Sequence, residues 1–572
     1  MVRVKKTARF LFIICMLLFM VTACGEAPKL PDKDAEPTPS TEKADAEAYY
    51  GLKDGELLLV TNGVQETERG LLLSDGVYIP YSVAAQWDDR LYWNEAEEEL
   101  IVSNAEGLYR YWPGVTRAQE KDEFVETEKP QLLIQDGTLY VAYSLVTRFC
   151  NIRSQVLEAP GRVVAYADGA TLSAYTVTDA ERGQLRTEGD VTTPILAELP
   201  AGEKVYAADA AGDGSWVKAT TADGLTGYIQ KDALGNMEST MVESGFSEPE
   251  YERLLLEDEV RLVWHQIFSE QGGGALREAL DDVSGINVIC PTWFKITAVD
   301  GSVTSLASAS YVEAAHEMGL QVWGLVDDFT PGVPGYEVLS GSESRANLIG
   351  QLVAEIKRVG ADGINIDFEY ITRESAPHYM QFLRELYLVC REESLVLSVD
   401  NYVPDSSNGF YQLENQKDVA DYVIVMTYDE HHSKSEEAGS TASIEFVEQG
   451  AAAVLAQVPK EQVLLGLPFF ARKWMTTTAE DGTVSVTSEA GGMQGLRDFA
   501  KENGAEWVWN DICKQYYTEF TAEGVFYQIW LEDATSLSYK IKIMQDSELA
   551  GFACWKLGLE TSDVWEVLSP AE

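Results

Sequence analysis

Two carboxylates spaced two residues apart are the clearest candidates for chemistry in this 572-residue sequence. The segment 362–370 reads DGINIDFEY. On a strand, alternation would place Asn365, Asp367 and Glu369 on one face and the apolar residues between them on the other. Such positions have Cα atoms roughly 7 Å apart, so ionised carboxylates there repel each other and one tends to stay protonated. A protonated carboxyl suits a general acid, and a structural hydrogen-bond network is the alternative.

Strand-like runs separated by helical stretches surround this pair. We read eight strands in the C-terminal part of the chain: Arg261 to His265, Asn287 to Trp293, Gln321 to Val326, Gly363 to Glu369, Leu395 to Asp400, Tyr422 to Thr427, Val463 to Leu467 and Gly551 to Trp555. Their alternation with helices predicts an α/β fold, a (β/α)8 TIM barrel over residues 258–569. The competing fold is an open doubly wound sheet, but no glycine-rich phosphate loop follows the first strand. In a barrel, Glu369 would stand at the C-terminal mouth, where barrel enzymes place their chemistry.

The string around Glu369 resembles the signature of glycoside hydrolase family 18, the chitinases and endo-β-N-acetylglucosaminidases. That signature, Asp-Gly-x-x-x-Asp-x-Glu, falls on Asp362, Gly363, Asp367 and Glu369. Asn365 stands where many chitinases have a further aspartate. An amide can hydrogen-bond Asp367 but cannot share a proton with it, so the pH profile need not match that of chitinases. The string is most similar to the spore-germination and cortex-lytic branch of the family, whose substrate is peptidoglycan or its fragments.

Two further motifs carry the same resemblance. The sixth predicted strand ends in Met426, Thr427, Tyr428 and Asp429, similar to the family's Met-x-Tyr-Asp, and the eighth ends in Trp555, similar to its floor tryptophan. For Tyr428 and Trp555 taken without the signature, core packing would be the favoured reading.

The resemblance implies a retaining, substrate-assisted mechanism at the β-1,4 linkages of N-acetylglucosamine residues. In it, Glu369 protonates the leaving oxygen and later activates water, while Asp367 orients the substrate's acetamido group. Tyr428 would hydrogen-bond the acetamido carbonyl and Trp555 would stack under the sugar. We expect further substrate contacts from Asn365, Met426, Asp429 and Trp293, although core packing is about as plausible for Trp293. No metal or organic cofactor is expected, since the acid and the substrate supply both chemical roles.

The residues before the barrel predict two small domains, because one hydrophobic core cannot extend through a chain of this length. Residues 49–168 hold an imperfect repeat, in which Leu71–Ile79 recurs as Leu132–Val141 with an Asp-Gly turn in each copy. This α+β module resembles the repeats beside the N-terminus of copper amine oxidases, and we expect a spacer or a wall-facing domain. Residues 183–235, with Trp216 and a following Gly-x-x-Gly-Tyr-Ile pattern, resemble a small all-β bacterial SH3-like domain. Binding of cell-wall peptides and a passive spacer role remain open for it.

The N-terminus has the order of an export signal. Basic residues precede an apolar run from Phe10 to Val21, which is too short to cross a bilayer as a helix. The run ends at Cys24, and residues 1–24 resemble a bacterial lipoprotein signal. We expect Cys24 to carry lipid and to hold the chain on the extracellular face of the membrane. A cleaved soluble signal is the alternative. Residues 25–48 are rich in charged residues and proline, which predicts a disordered tether.

Composition limits the classes of partner. A formal charge of −50, from 93 acidic and 43 basic residues, disfavours binding to nucleic acid. The five cysteines after Cys24 are an odd number without short spacings, so we predict buried thiols rather than a disulfide framework or a zinc site.

Two other function classes compete with an enzyme that acts on peptidoglycan or a chitin-like polymer. Some members of the family keep the barrel, lose the acid and act as lectins, and an anchored adhesin would explain the repeats and the charge. The intact Glu369, Asp367 and Tyr428 favour the enzyme. The sequence leaves the choice between chitin, N-glycan and peptidoglycan substrates open.

Overall fold

The computed structural model describes residues 37–207, 210–211, 214–270 and 272–568. It contains two compact units: Leu172–Thr240 with the described residues up to Gly51, and Leu52–Thr171 with those from Met241 onward. Cys24 and the predicted signal 1–24 lie outside the described residues. Within the described part, no helix is long and apolar enough to cross a membrane.

The described residues of the smaller unit form a β structure together with a short helix, Ala46–Tyr50, and a 3-10 turn, Lys231–Ala233. Its main sheet has the strand order Ile195–Glu198, Gln184–Arg186, Thr226–Gln230, Trp216–Thr221, Lys204–Tyr206, Thr171–Val177 and Leu234–Met241. A short strand, Ala210–Ala211, pairs with Trp216–Thr221. The sheet therefore extends on both sides of the predicted domain 183–235.

The predicted tether 25–48 is too long at its C-terminal end. The backbone N–H of Ala44 donates to the carbonyl of Ile195 at 2.8 Å, and Lys43 forms a bridge with the same residue. The Asp45 side chain then caps the helix Ala46–Tyr50 by accepting from the N–H of Ala48. These residues are ordered because their backbone groups pair with an edge strand, a tertiary contact that composition does not reveal.

The second unit begins with the repeat module, residues 52–171. One sheet has the strand order Ile152–Leu157, Arg162–Ala167, Glu56–Thr61, Val64–Leu73, Gly76–Pro80, Thr138–Ala142 and Leu132–Gln135. A second, antiparallel sheet contains Leu91–Asn94, Glu99–Asn104, Gly107–Tyr111, Arg117–Glu120 and Glu123–Glu126. Each copy of the sequence repeat is a hairpin followed by a helix, Tyr81–Trp87 or Tyr143–Phe149.

The C-terminal part of this unit is a closed barrel of eight parallel strands, which confirms the predicted fold. We number the strands in chain order: β1 (Val260–His265), β2 (Val288–Ile296), β3 (Gln321–Asp327), β4 (Gly363–Asp367), β5 (Val396–Tyr402), β6 (Tyr422–Met426), β7 (Val463–Pro468) and β8 (Gly551–Trp555). Neighbours in this order pair in parallel, and β1 pairs with both β2 and β8, which closes the barrel.

Alternation along the strands separates an inner and an outer core. Trp264, Cys290, Trp323 and Ile424 belong to the cluster that fills the barrel, while residues one position away, such as Val263, contact the helical layer. The helices of that layer are α1 (Gly273–Ala279), α2 (Ala309–Glu317), α3 (Gly335–Ser340), α4 (Ser342–Val359), α5 (Ala376–Glu393), α6 (Leu413–Val419), α7 (Ile444–Leu455), α8 (Met493–Glu502), α9 (Ala534–Asp546) and α10 (Val564–Leu568). Short 3-10 turns lie at Gly409–Tyr411 and Lys460–Gln462, and Val303–Ser305 pairs with the end of β2.

An antiparallel sheet is inserted between β7 and α9. It contains Phe470–Thr478, Val484–Gly492, Val508–Asn510, Gln515–Ala522 and Val525–Leu531, with α8 packed on one face through Leu496 and Phe499. The opposite face reaches the barrel, where Trp474 Nε1 donates to the carbonyl of Gly439 at 2.8 Å.

The repeat module packs against α4 and α5 of the barrel. Arg345 is fully buried and donates from Nη2 to Glu385 at 2.9 Å, and its guanidinium lies 5.3 Å from the ring centroid of Tyr92 in the module. The Tyr92 hydroxyl hydrogen-bonds His378 Nδ1 at 2.5 Å, and Arg384 pairs with Asp89 at 3.1 Å. The module and the barrel therefore share a buried polar interface.

Candidate active site

A row of carboxylates crosses three adjacent barrel strands at the mouth. Asp327, the last residue of β3, is the register partner of Asp367, the last residue of β4. The residue before Asp367 pairs with Val399 of β5, which places Asp400 at the next position of the ladder beside Asp367. Because neighbouring strands lie about 4.8 Å apart, inward side chains at these positions are close neighbours. Asp367 and Asp400 are buried, at 6% and 3% exposure.

Glu369 stands two residues beyond the end of β4, in the loop above the barrel. The predicted strand was therefore too long by two residues. Asp328 fixes the loop, because its carboxylate accepts the backbone N–H groups of Glu369 at 3.0 Å and Tyr370 at 3.1 Å. The Glu369 carboxylate itself accepts a hydrogen bond from the hydroxyl of Tyr402 at the end of β5. The candidate acid is thus half-buried and held from two neighbouring strands.

The electrostatics of the cluster favour protonated carboxyls. Burial raises the pKa of Glu369 above its ordinary value, although the hydrogen bond from Tyr402 acts in the opposite direction. Burial, and then the charges of Asp400 and Glu369, raise the pKa of Asp367 well above its usual range. Burial also raises the pKa of Asp328 to about 6. An acid with a raised pKa keeps its proton nearer to neutral pH, as general acid catalysis needs.

Asn365 forms no hydrogen bond with Asp367, although its position in the motif suggested one. Its Nδ2 donates to Asp400 Oδ1 at 2.8 Å and to Ser398 Oγ at 3.0 Å. Its Oδ1 accepts from Trp264 Nε1 at 3.1 Å. Asn365 is fully buried below the mouth, so it orients neighbouring groups and cannot touch a bound polymer directly.

Tyr428 and Trp555 lie at the mouth, as the sequence predicted. The phenol of Tyr428 has a pKa raised well above its ordinary value, first by burial and then by the charges of Asp400 and Asp367, so it faces the same cluster. Trp555 is half-buried at the end of β8, with its ring 5.9 Å from that of Trp264 in an edge-on arrangement. A half-buried indole at the mouth can offer one face to a sugar.

Two other predicted contact residues lie beside Tyr428. Met426, the last residue of β6, is 6% exposed and lies next to Tyr402 in the ladder. Asp429 is exposed, with a left-handed backbone (φ 59°), and its carboxylate lies 3.7 Å from Arg472 of the inserted sheet. Asp429 is therefore accessible to a ligand, and Met426 only marginally so.

Trp293 and Asp362 lie away from the site. Trp293, predicted as a sugar platform, is 1% exposed and packs edge-on against Tyr311 with ring centroids 5.4 Å apart, so that prediction was wrong and the core alternative applies. Asp362 precedes β4 at the opposite end of the barrel, where its carboxylate accepts the backbone N–H of Val322 at 2.7 Å. Its part in the motif is to fix the start of the strand.

Four members of the cluster were missed from the sequence: Asp327, Asp328, Asp400 and Tyr402. Each lies at or just after the C-terminal end of a predicted strand, which is the available signal in a barrel. Within the described residues, no group of three or more His, Cys, Asp or Glu side chains is placed to hold a metal ion.

Comparison with known proteins identifies relatives of the barrel. Residues 331–560 match the family model "Glycosyl hydrolases family 18". A cortical fragment-lytic enzyme of Bacillus subtilis is 25% identical over 243 residues, which cover 41% of this chain and 55% of that enzyme. The chain thus spans little more than half the length of this relative. The uncharacterized glycosylase YvbX of the same species is 21% identical, over 47% of this chain and 80% of its own. The spore cortex-lytic enzyme SleL of Bacillus cereus, a solved structure, is 18% identical, covers 58% of this chain and 76% of its own, and has a TM-score of 0.49.

Proposed function

We propose that this barrel, whose residues 331–560 match the family model of glycosyl hydrolases family 18, hydrolyses glycosidic bonds in a polymer of N-acetylated amino sugars. Glu369 is the general acid. The observation that carries this proposal is the setting of Glu369: a half-buried carboxyl at the barrel mouth, with a raised pKa, a hydrogen bond from Tyr402 and a backbone fixed by Asp328.

The carboxyl next to Glu369 suits a substrate-assisted reaction. In that mechanism the 2-acetamido oxygen of the substrate attacks the anomeric carbon, while the acid protonates the leaving oxygen. The resulting oxazolinium ion is positively charged, and a fixed negative group close to it lowers the barrier. Asp367 in its ionised form supplies this group, because it stands on the same inward face as Asn365 and lies below Glu369. The water that opens the ring is activated by the Glu369 carboxylate, which recovers its proton.

Peptidoglycan is the proposed natural polymer. Support comes from the name of the Bacillus subtilis relative, a cortical fragment-lytic enzyme, and from the resemblance of residues 183–235 to a domain frequent in cell-wall enzymes. A chain held on the outer face of the membrane through Cys24 would meet this polymer directly.

Product analysis tests the proposal. Purified protein is incubated with sacculi and with chitin oligosaccharides, and the products are identified by mass spectrometry. We expect fragments with N-acetylglucosamine at the new reducing end. Binding of these polymers without any cleavage would contradict the proposal and favour a lectin.

A further inference from the structure

We propose that Asp400, on strand β5, is the group that shares a proton with Asp367 during the reaction. This inference rests on the proposed function and adds a residue to it that lies outside the signature motif. Asp400 thereby supplies from the neighbouring strand the second carboxyl that Asn365 cannot provide.

The hydrogen bonds of Asn365 assign this role to Asp400. A side-chain amide has two donor hydrogens, and both are used on β5, in the bonds to Asp400 Oδ1 at 2.8 Å and Ser398 Oγ at 3.0 Å. The bond from Trp264 to the amide oxygen fixes which end of the amide faces β5. Asn365 therefore has no donor left for Asp367, and it aims the Asp400 carboxyl instead.

The charges around the pair make a shared proton the stable arrangement. In the described part of the chain, neither Asp367 nor Asp400 forms an ion pair, whereas Asp327 on the neighbouring strand has Lys295 at 3.9 Å. The titratable groups that face the pair are acidic or neutral: Cys290, Asp327, Asp328, Glu369, Tyr379, Tyr402, Tyr411 and Tyr428. Two adjacent buried carboxylates without a cation cannot both ionise near neutral pH. The pair titrates as a unit, with one proton between the two groups.

The shared proton can move without any additional reactant. When the acetamido oxygen attacks, Glu369 gives its own proton to the leaving oxygen, and the proton on Asp367 passes to Asp400. Asp367 is then ionised beside the oxazolinium, and Asp400 is neutral. When water opens the ring, its hydroxide bonds to the anomeric carbon and Glu369 accepts the remaining proton of that water. Asp400 then returns the shared proton to Asp367. The number of protons on the Asp367–Asp400 pair stays at one throughout.

Two variants test this role: one removes the carboxyl of Asp400 from β5, and the other also places a carboxyl at position 365 on β4. In Asp400→Asn the Asn365 amide keeps an oxygen acceptor, so the fold should survive, but the proton store is lost. We expect kcat to fall by about tenfold or more, with little change in KM. This is less than the roughly 10² to 10⁴-fold loss typical of a general acid, because Asp400 acts through Asp367. The double variant Asn365→Asp with Asp400→Asn returns one carboxyl to the site from β4 and should recover part of kcat. Equal loss in the single and double variants would overturn the proposal.

The control is Ser398→Ala, which removes the other acceptor of the Asn365 amide but no charge. Its pH profile for kcat should keep the wild-type shape, whereas Asp400→Asn should change it. If both variants change the profile in the same way, Asp400 has only a structural role and the proposal fails.

A readout without turnover separates this proposal from the proposed function. An acid whose folded pKa lies above its unfolded value destabilises the folded state as pH rises past the unfolded pKa. Wild-type protein should therefore lose thermal stability between about pH 5 and pH 8, where the unfolded carboxyls are already ionised, and Asp400→Asn should lose less. If the wild type cleaves no polymer but loses more thermal stability than Asp400→Asn over this pH range, the proton sharing is supported and the proposed function is wrong. Identical curves for the two proteins would overturn the proton sharing.

Discussion

The hydroxyl of Tyr402 donates a hydrogen bond to Oε2 of Glu369, across the gap between the ends of β5 and β4. The bond stabilises the ionised carboxylate and so partly opposes the burial that raises the pKa of Glu369. The acid is therefore held in one orientation, and its pKa is set by two opposing effects.

Removal of this hydroxyl in Tyr402→Phe should raise the pKa of Glu369 further. Since the acid must be protonated to act, the basic limb of the kcat/KM profile should move to higher pH, and kcat should fall several-fold as the carboxyl loses its orientation. The measurement is a pH–rate profile on a chitin oligosaccharide. Tyr370→Phe removes an exposed neighbouring hydroxyl and serves as the control. A basic limb that stays in place in Tyr402→Phe would contradict the role of the bond.

Glu369→Gln should remove nearly all turnover and leave binding intact. Glutamine keeps the shape and can donate a hydrogen bond but has no proton to release, and general acid catalysis is worth about 10² to 10⁴-fold. Calorimetric titration with the same oligosaccharide should give an affinity close to the wild type, because binding depends on stacking and neutral hydrogen bonds. Wild-type turnover in this variant would refute the assignment of the acid.

Asp328→Ala should loosen the loop that presents the acid. The carboxylate accepts the backbone N–H groups of Glu369 and Tyr370, so both lose their acceptor in the variant. We expect faster amide hydrogen exchange at these two positions and a fall in kcat of about tenfold or more, since small misplacements of catalytic groups are costly. Unchanged exchange at both amides would show that Asp328 does not hold the loop.

The barrel could be predicted because its strands are short apolar runs at regular intervals, and the motif marked β4, β6 and β8. Alternation alone placed Asp367 and Asn365 on the inner face. The partners of Asn365 could not be predicted in this way. Asp400 approaches it only through the register of β5 against β4. Tyr402 reaches Glu369 from the end of β5, and Asp328 does so from the position after β3.

Two errors show where sequence patterns fail. The predicted second strand ended at Trp293, as the eighth ends at Trp555. In the structure β2 continues to Ile296, and the Trp293 side chain is buried in the core. The predicted tether was extended over residues 43–48 because their composition is polar, yet Lys43 and Ala44 pair with an edge strand and a helix begins at Ala46. Both outcomes depend on pairing between distant segments.

Cys24 remains a prediction about the cellular location. If the cysteine is lipidated, the wild-type chain should be found with membranes after cell fractionation, and Cys24→Ala should be found in the soluble fraction outside the cell membrane. Metabolic labelling with a fatty-acid analogue gives an independent readout. Retention of the variant on membranes to the wild-type extent would show that another feature anchors the chain.

Replacement of Arg345 should destabilise the barrel together with the repeat module. Arg345 is fully buried, and Glu385, its partner, is 7% exposed. Arg345→Met leaves Glu385 as a buried charge without its cation, and loss of one partner of a buried pair costs about 3–5 kcal/mol. The free energy of unfolding from urea titration should fall by that amount, which includes the loss of the stacking of Arg345 on Tyr92.

The matched control is Arg358→Met on the same helix. Arg358 pairs with Glu355, and the two side chains are 52% and 27% exposed. An exposed pair is worth about 0–1 kcal/mol, so an equal effect of the two substitutions would show that the buried pair between α4 and α5 adds no more stability than an exposed one.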